Sequence, residues 1–392
     1  MRKKLDCNGQ GEVELRGLMA FLTGKNSNRT LTALGSRPII GVLKGTGIGP
    51  EVIGATLYVL EAVEQVINIK FEVRYEGPIG EEAEVILGQS LPDSVVIFCE
   101  EVFDRNGAVL SGPGGGRYVY DLRRRFDLFC KFIPVLPWPQ LARTGRIAPQ
   151  YLQHVDILIV RDNVGGVYQG QWQDRYTPEG RVAEHSFSYS ESQVSRLAEV
   201  AARAAAGRRG KLHVIVKQGG VPAISDLWRE VSFAIAGKYH VEAVIMNADL
   251  AAYELIQHPA KFDVMVTPNL FGDILADITG VLLGSRGVTF SGNFNANGKA
   301  VYQTSHGCAH DIAGTDVANP AGQILSLAML LRESFGLAKA AALIEEALAD
   351  VWSQGWRTAD LAEPGCRIIG TRTMADQVSQ QILQIAETRR ST

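Results

Sequence analysis

Two aspartates with helical spacing are the residues in this sequence that suggest chemistry most directly. Asp273 and Asp277 follow residues 264–266, an apolar run that predicts a short buried strand, and a Thr-Pro-Asn break. Because the aspartates are four residues apart on a predicted helix, their carboxylates share one face and repel each other unless a cation lies between them. Hard divalent cations prefer such oxygen ligands. The alternative is a solvated acidic helix start, since aspartate is favoured near a helix N-terminus in any case.

Polar residues also stand just after several predicted strands. Four of them have this position: Arg161, Lys217, Asp249 and Asn269. In open α/β sheets, ligands bind outside the carboxyl ends of the strands. The repetition of polar residues at these points therefore predicts a ligand site at one edge of a sheet, and it does so more strongly than any single motif.

The composition is that of an ordinary globular protein. Its 392 residues are enough for two domains, and the formal net charge of -3 gives no electrostatic footprint for nucleic acid. The five cysteines lack metal-site spacing, so we expect free thiols in a reducing compartment. Neither a signal-peptide pattern nor an apolar run of bilayer length is present. These features predict a cytoplasmic protein without membrane or nucleic-acid partners.

Alternating strands and helices predict an α/β fold. Order is expected from residue 38, after an N-terminal extension over residues 1–37. Pro38–Leu43 predicts a strand, followed by the glycine-rich turn Lys44–Glu51 and a helix that extends to Val66. Glycines in such a turn would let a phosphate or nucleotide reach backbone N–H groups near the helix start.

The remaining elements follow from the same apolar patterns. Strands are predicted at Phe71–Tyr75, Val95–Glu100, Gly107–Leu110, Leu128–Val135, Val155–Val160, Leu212–Val216 and Val241–Met246. Helices are predicted at Tyr118–Phe126, Ser192–Ala206, Leu250–His258, Leu270–Asp277, Gly322–Arg332 and Leu337–Gln354. Residues 285–299 are rich in glycine and asparagine and predict a loop.

Four motifs together resemble the isocitrate/isopropylmalate dehydrogenase family, in the order and at the spacing typical of that family. They are GTGIGPE at 45–51, RDNVGG at 161–166, NLFGDILAD at 269–277 and HGCAHDIAG at 306–314, followed by Ala-Asn-Pro at 318–320. The resemblance covers about residues 38–385. It implies two α/β domains and a reaction in which NAD or NADP oxidises a malate-type hydroxyl. The neighbouring carboxylate then leaves as carbon dioxide, with magnesium or manganese.

The resemblance assigns roles to individual residues. Asp273 and Asp277 correspond to ligands of Mg²⁺ or Mn²⁺, and Asp249 to a third ligand from the other subunit of a homodimer. Such a metal would stabilise the substrate alkoxide and the enolate left after decarboxylation. Lys217 corresponds to the general base from the neighbouring subunit, and Tyr168 to the general acid that protonates the enol. Without the family, Lys217 would be a surface lysine and Tyr168 a structural tyrosine.

Substrate and cofactor contacts are implied in the same way. Arg123 and Arg161 correspond to two of three arginines that hold the malate carboxylates, although Arg123 alone would be a surface arginine on a charged helix. Asp311 falls where NAD-preferring members bind the adenosine ribose, and a carboxylate there would repel a 2′-phosphate, so NAD is expected. The other implied cofactor residues are Gly47, Ile48, His306, Gly307 and Asn319.

The substrate region departs from the family pattern. Ile133 stands where the third carboxylate arginine is expected, and Lys131, on the same strand face, is the residue that could partly replace it. Gly219 replaces an asparagine that usually orients the nicotinamide. Arg117 and Tyr120 lie in the segment that corresponds to the one with which members of the family select the substrate side group. They predict a pocket for anionic or aromatic groups rather than for a small branched alkyl group.

Three interpretations are open. We favour a NAD- and metal-dependent decarboxylating dehydrogenase for a substituted malate, specialised for a secondary pathway, because the residues of the proposed chemistry are present. The others are a dehydrogenase that does not decarboxylate and a non-catalytic regulatory or sensor protein. We expect a large cofactor-binding domain, residues 38–128 and 285–392. A smaller domain, residues 129–284, would carry Lys217 and the aspartates and form the homodimer.

Overall fold

The structure is a computed structural model that describes residues 37–391. The predicted N-terminal extension lies outside the described residues, except for its last residue. The strands are β1 Ile39–Leu43, β2 Glu72–Glu76, β3 Ala108–Ser111, β4 Cys130–Val135, β5 Ile157–Asp162, β6 Gln171–Thr177, β7 Gly180–Ser186, β8 Lys211–Val216, β9 Glu242–Asn247, β10 Val264–Thr267, β11 Phe290–Phe294, β12 Ala300–Thr304, β13 Trp356–Arg357 and β14 Arg367–Ile368.

The helices pack on the strands and on one another. They are α1 Gly49–Ile67, α2 Gly80–Leu87, α3 Asp93–Asp104, α4 Tyr118–Arg125, α5 Glu191–Ala206, α6 Pro222–Lys238, α7 Ala248–Gln257, α8 Asn269–Leu282, α9 Ala321–Glu333, α10 Ala338–Ser353 and α11 Thr371–Ser391. Within residues 37–391, no helix is both long and apolar enough to cross a membrane.

One mixed sheet of ten strands runs through the molecule in the order β2-β1-β3-β12-β11-β4-β5-β10-β8-β9. Strands from the beginning and the end of the chain form the first half, and strands between residues 130 and 267 form the second. The halves meet where β11 pairs antiparallel with β4, with Gly292 opposite Phe132. The continuous apolar strands β1 and β5 are buried along their whole length, as expected for strands covered by helices on both faces.

Four adjacent parallel strands place the predicted polar residues at one edge of the sheet. Strands β5, β10, β8 and β9 are neighbours and run in the same direction. Arg161 lies at the carboxyl end of β5, Asn269 follows β10, Lys217 follows β8 and Asp249 follows β9. Since the carboxyl ends of parallel strands meet at the same edge, this region is where a ligand site is expected.

Two of the predicted elements are wrong. Val95–Glu100 was expected to form a strand but belongs to helix α3, in which Val95, Phe98, Cys99 and Val102 form a buried stripe with helical spacing. Residues 285–299 were expected to form a loop but contain β11, which pairs with both β4 and β12. The polar side chain of Asn293 is buried in β11 because it donates to the Val301 carbonyl and accepts from Asn163.

Several elements were not predicted: helices α2, α6 and α11, strand β12, the short strands β13 and β14, and the hairpin of β6 and β7. The hairpin of β6 and β7 projects as a separate two-stranded sheet with most of its residues exposed, so it has no core face to give an apolar alternation. Helix α6 begins after Val221, and helix α11 packs against α1. The predicted alternation of strands and helices is otherwise present, so the α/β class is confirmed.

Candidate active site

Three cationic side chains lie buried together beside one aspartate. Arg123 on α4, Lys131 on β4 and Arg161 on β5 are only 3%, 3% and 1% exposed, and Lys131 is in register with Arg161. Arg161 donates to the side-chain oxygen of Asn269 at 2.8 and 3.2 Å and forms an ion pair with Asp273. The sequence thus brings residues from four separate elements to the edge where β5 and β10 end.

The cluster has more buried positive charge than its direct partners neutralise. Burial and the neighbouring charge of Arg161 lower the pKa of Arg123 to about 9, so the guanidinium remains charged at neutral pH. Burial, together with Arg123 and Arg161, lowers the pKa of Lys131 well below its ordinary value. The Nε of Arg123 has no hydrogen-bond partner among the described residues. Buried cations without partners are costly, so this geometry favours an anionic ligand.

Asp273 connects the cations to Tyr168. The Tyr168 hydroxyl donates to Oδ2 of Asp273 at 2.9 Å, while Oδ1 faces Arg161. Burial acts to raise the pKa of Asp273, but Arg161, Lys131 and the Tyr168 hydroxyl outweigh it and the pKa is lowered. Burial and the Asp273 carboxylate raise the pKa of Tyr168. The tyrosine is therefore a protonated hydroxyl at neutral pH, held by an ionised carboxylate.

Asp277 lies one helical turn after Asp273 on α8 and pairs with a different arginine. Arg286 donates to both oxygens of Asp277, at 3.0 and 3.2 Å. The two carboxylates share one helix face, are half exposed, and offer only oxygen ligands, a donor set that fits Mg²⁺ or Mn²⁺. Over residues 37–391, no third histidine, cysteine or acidic group completes a cluster at this pair. Among the described acidic, histidine and cysteine side chains, this position therefore offers the two carboxylates of α8.

Lys217 and Asp249 form a separate pair at the ends of β8 and β9. Lys217 Nζ lies 2.7 Å from Oδ1 of Asp249, and this hydrogen bond lowers the pKa of the aspartate. Both side chains are well exposed. Within one chain, the residues that the sequence predicts as metal ligands and general base therefore lie in two places. Asp273 and Asp277 lie near the cationic cluster, and Lys217 and Asp249 form this exposed pair.

A cavity of about 670 Å³ brings together most of the predicted cofactor residues. It is lined by Ile48, His306, Gly307, Asp311 and Asn319, together with Arg286, which also pairs with Asp277. The Asn319 side chain is fixed because it donates to Asp360 at 3.0 Å and accepts from the Ala321 amide. Arg286 therefore joins the cavity to the carboxylates of α8.

His306, which lines the cavity, has a ring nitrogen without a hydrogen-bond donor. Its Nδ1 lies 2.9 Å from the Gly307 carbonyl oxygen and must carry the proton, so Nε2 has a free lone pair. Nε2 is buried without a partner among the described residues. Burial lowers the pKa of His306, which keeps the imidazole neutral at neutral pH. His306 therefore has one unsatisfied acceptor among the described residues next to the cavity.

The glycine-rich turn packs loops together more than it presents free N–H groups. The amides of Thr46 and Ile48 donate at 2.8 Å to the carbonyl oxygens of Pro113 and Cys308. Gly47 has a φ of +59°, and a Cβ at this position would overlap the Cys308 carbonyl oxygen. The expectation that this turn holds a phosphate on its amides is therefore wrong for these two N–H groups, although Ile48 lines the cavity.

The segment predicted to select the substrate side group carries a stack of aromatic and cationic groups. The Arg117 guanidinium lies 4.6 Å from the ring centre of Trp172 on β6 and donates to the Tyr168 carbonyl oxygen at 3.3 Å. The rings of Tyr120 and Tyr168 are in contact, with centres 5.0 Å apart. Arg117 and Tyr120 are therefore adjacent to the general-acid candidate.

Sequence reasoning missed two residues of this site. Arg286 lies in the segment predicted as a loop, and Trp172 lies on the hairpin that was not predicted. Nothing in the local pattern distinguishes either residue from a surface side chain. The partner of Asn319 was also not predicted, because Asp360 lies 41 residues after Asn319 in the sequence.

The sheet and the site define an α/β protein with a buried cationic cluster at one edge of its sheet and a large cavity nearby. Residues 39–378 match the isocitrate/isopropylmalate dehydrogenase family, and the chain therefore belongs to that family. This confirms the resemblance found in the motifs.

Similar proteins cover almost the whole described chain. A 3-isopropylmalate dehydrogenase of Burkholderia thailandensis is 39% identical over 360 residues, covering 86% of this chain and 98% of that protein. One of Gloeobacter violaceus is 37% identical over 361 residues, covering 88% and 98%. The crystal structure of isocitrate dehydrogenase from Methylococcus capsulatus has a TM-score of 0.79 at 28% identity, covering 88% of this chain and 100% of that one. The predicted fold of the family is thus confirmed.

Proposed function

We propose that the protein catalyses the oxidative decarboxylation of a substituted malate-type 2-hydroxy acid, with NAD as hydride acceptor and Mg²⁺ or Mn²⁺ as metal. The observation that carries this proposal is the set of buried cations Arg123, Lys131 and Arg161 beside Asp273. A dicarboxylate would neutralise them, and the guanidinium groups would orient it by paired hydrogen bonds. The named activities of the similar proteins support the same reaction class.

Two side chains have the chemistry for the proton transfers. Lys217, in its neutral form, would take the proton of the substrate hydroxyl while the hydride leaves for the nicotinamide. After carbon dioxide departs, the Tyr168 hydroxyl would donate its proton to the carbon of the enol. Its raised pKa keeps that proton in place until it is needed. A cation held by Asp273 and Asp277 would supply stabilisation of negative charge on the substrate oxygens.

The site would be completed by a second copy of the chain. Lys217 and Asp249 stand apart from Asp273 in one subunit, and the neighbouring helices α7 and α8 expose the apolar side chains of Leu250, Tyr253, Ile274 and Val281. Exposed apolar side chains on adjacent helices are typical of an interface. In a homodimer built on this face, the partner's lysine and aspartate would reach the carboxylates. We also propose residues 38–128 and 285–392 as the cofactor-binding domain and 129–284 as the dimer-forming domain.

The cavity chemistry favours NAD. Asp311 lines the cavity, and its carboxylate would accept hydrogen bonds from ribose hydroxyls and repel a 2′-phosphate. The buried lone pair of His306 would accept a hydrogen bond from the adenine amino group. Asn319 and Gly307 complete this wall.

The substrate side group is proposed to differ from a small branched alkyl group, and the enzyme to serve a secondary pathway. Arg117 and Tyr120 both contact Tyr168, and Lys131, buried on the same strand as Ile133, would partly take the place of the third arginine. An aromatic or anionic side group would stack on or pair with this segment.

The direct test is NADH formation by the purified protein with Mg²⁺ or Mn²⁺ and a panel of malates carrying alkyl, aromatic, carboxylate or phosphonate groups. We expect one aromatic or anionic substrate to be preferred, with carbon dioxide released and with no turnover by Lys217→Met. If 3-isopropylmalate is the best substrate, the specialised part of the proposal is wrong. Hydride transfer without carbon dioxide would indicate a dehydrogenase that does not decarboxylate, and NAD binding without any turnover would indicate a sensor.

A complementation experiment tests the shared site. Lys217→Met and Tyr168→Phe are each expected to be inactive as homodimers because every site lacks one group. In mixed dimers, one of the two sites receives both native residues, so random pairing would restore about a quarter of wild-type activity. Absence of recovery in a purified mixed dimer would refute the assignment of Lys217 to the partner's site.

A further inference from the structure

A second group of metal-binding side chains lies outside the proposed active site. Glu81 on α2, Cys308 and His310 place one carboxylate oxygen, the thiol sulfur and one imidazole nitrogen within 4.8 Å of one another. His310 Nε2 lies 2.8 Å from Oε2 of Glu81. Cys308 is buried, and the other two residues are exposed. This is the one such group of three found over residues 37–391.

The group lies behind the loop that lines the cofactor cavity. Gly307, Ala309 and Asp311 line the cavity, whereas the alternate residues Cys308 and His310 meet Glu81 instead. Ala309 between them has a left-handed backbone with a φ of +44°, an uncommon conformation for alanine that fixes the course of the loop. A ligand held by the group would therefore contact this loop without entering the cavity.

The donor set selects a particular kind of ion. One sulfur, one nitrogen and one oxygen donor, with a fourth position open to water, match the tetrahedral coordination that Zn²⁺ adopts in proteins. The thiolate disfavours Mg²⁺ and Ca²⁺, which prefer oxygen ligands only. The donors span up to 4.8 Å, and small rotations of the exposed Glu81 and His310 side chains would bring them to bonding distance.

We propose that Glu81, Cys308 and His310 form a binding site for Zn²⁺ or a similar thiophilic divalent cation, distinct from the carboxylates of α8. Binding replaces the Cys308 S–H proton by a metal–sulfur bond, releases that proton to solvent, and uses the neutral imidazole of His310. No oxidation change occurs. Because the thiol must ionise, affinity rises with pH. The alternative is that Glu81 and His310 bind no metal and form only their hydrogen bond with each other.

The position of the site gives it a consequence for the cofactor, and this part rests on the proposed function. The Glu81 amide donates to the Gly114 carbonyl at 2.9 Å, and the Cys308 carbonyl accepts from Ile48 at 2.8 Å. The ion would thus join α2, the glycine run that precedes α4, and the loop that carries Asp311. By holding this loop in its cavity-lining conformation, the ion would strengthen NADH binding, because less ordering remains to be done when the cofactor binds.

Cobalt provides the test, because Co²⁺ substitutes for Zn²⁺ and a thiolate ligand gives an intense charge-transfer absorption that oxygen ligands do not give. The full-length protein is titrated with Co²⁺ in saturating Mg²⁺, which occupies the oxygen site. We expect one thiolate-bound Co²⁺ per chain, displaced by Zn²⁺. The absorption should be lost in Cys308→Ser, and affinity should fall at least about tenfold in His310→Gln and Glu81→Gln.

Matched substitutions separate this site from other thiols and histidines. Cys366→Ser changes a partly exposed cysteine, and His258→Gln changes an exposed histidine that also faces a glutamate, so both should leave the absorption unchanged. Absence of the absorption in the wild type, or its retention in Cys308→Ser, would overturn the site. Circular dichroism of each variant establishes that it is folded.

The linkage to the cofactor has its own readout. Zn²⁺ is expected to lower the Kd for NADH by about fivefold or more in the wild type and to leave it unchanged in Cys308→Ser. An unchanged Kd for NADH in the wild type would refute the linkage between metal and cofactor. The existence of the metal site would still be tested by the cobalt absorption. Absence of NADH binding under every condition would instead refute the proposed function, leaving the metal site established by its spectrum.

Discussion

Replacement of Lys131 by methionine should have opposite effects on stability and on catalysis. Lys131 is 3% exposed, lies in register with Arg161, and has no acidic side chain opposite it on either neighbouring strand. Methionine has a similar length and no charge, so Lys131→Met removes a buried ammonium from beside two buried guanidinium groups. The ligand-free protein should therefore become more stable, by about 1–3 kcal/mol, because replacing buried ionic groups by apolar ones of similar volume is often stabilising.

The pH dependence of this gain follows from the lowered pKa of Lys131. The unfolded chain titrates near the ordinary value of 10.5, whereas the folded chain releases the proton at lower pH because of burial, Arg123 and Arg161. Between the two pKa values the unfolded state binds more protons, so wild-type stability rises with pH relative to the variant. The advantage of Lys131→Met should be full below the folded-state pKa and disappear as the pH approaches 10.5.

Urea unfolding in EDTA at several pH values measures the free energy of unfolding. Steady-state kinetics with the substrate measures the effect of the substitution on KM. Loss of a charged contact to a substrate carboxylate should raise KM by about 10- to 100-fold, equivalent to about 1.5–3 kcal/mol. The control is Lys339→Met, at an exposed lysine on α10, and it should change stability by less than about 0.5 kcal/mol. Destabilisation of Lys131→Met by more than about 1 kcal/mol, or an unchanged KM, would show that the ammonium has a structural partner rather than a ligand.

Three further predictions concern the cofactor, the turn and the general acid. Asp311→Ser should lower the preference for NAD over NADP by about 100-fold, measured as the ratio of kcat/KM values, because the repulsion of the 2′-phosphate is removed. Gly47→Ala should destabilise the protein by about 2 kcal/mol or more in urea unfolding, whereas Gly54→Ala, in an open helical position, should be neutral or stabilising. Tyr168→Phe should lower kcat by about 10²–10⁴-fold with little change in KM, and an unchanged kcat would exclude Tyr168 as the general acid.

Much of the fold could be predicted because its buried parallel strands contain apolar runs. Strands β5 and β8 were found from such runs, and Arg161 and Lys217 at their carboxyl ends lie at one sheet edge, as the rule for α/β sheets requires. The pattern failed where burial did not coincide with apolar side chains. Strand β11 contains the buried Ser291 and Asn293, whose hydrogen bonds come from other elements and leave no local signal.

The candidate site, like the fold, could be predicted only in part. Motifs indicated which residues to consider, but not their partners in the free protein. The pairing of Asp277 with Arg286 depends on how the chain turns after α8, and the contact of Arg117 with Trp172 depends on a projecting hairpin. The positions of Lys217 and Asp249 in the same chain show only that they pair with each other. These contacts depend on long-range packing, so they cannot be predicted from the spacing of residues within one motif.

The ion pairs of the free site involve both carboxylates of α8, whereas Arg123 and Lys131 are left with excess positive charge. Asp273 and Asp277 are neutralised by Arg161 and Arg286, so neither carboxylate is left alone in a partly buried position. On the proposed function, a substrate carboxylate that paired with Arg161 would release Asp273, and the released carboxylate would favour a cation beside it. Each ligand thus provides the charge that the other removes, so the ligands should assist each other's binding. If the proposed function holds, the arrangement of exchangeable ion pairs, more than any one residue, would let this edge of the sheet bind an anion and a cation together.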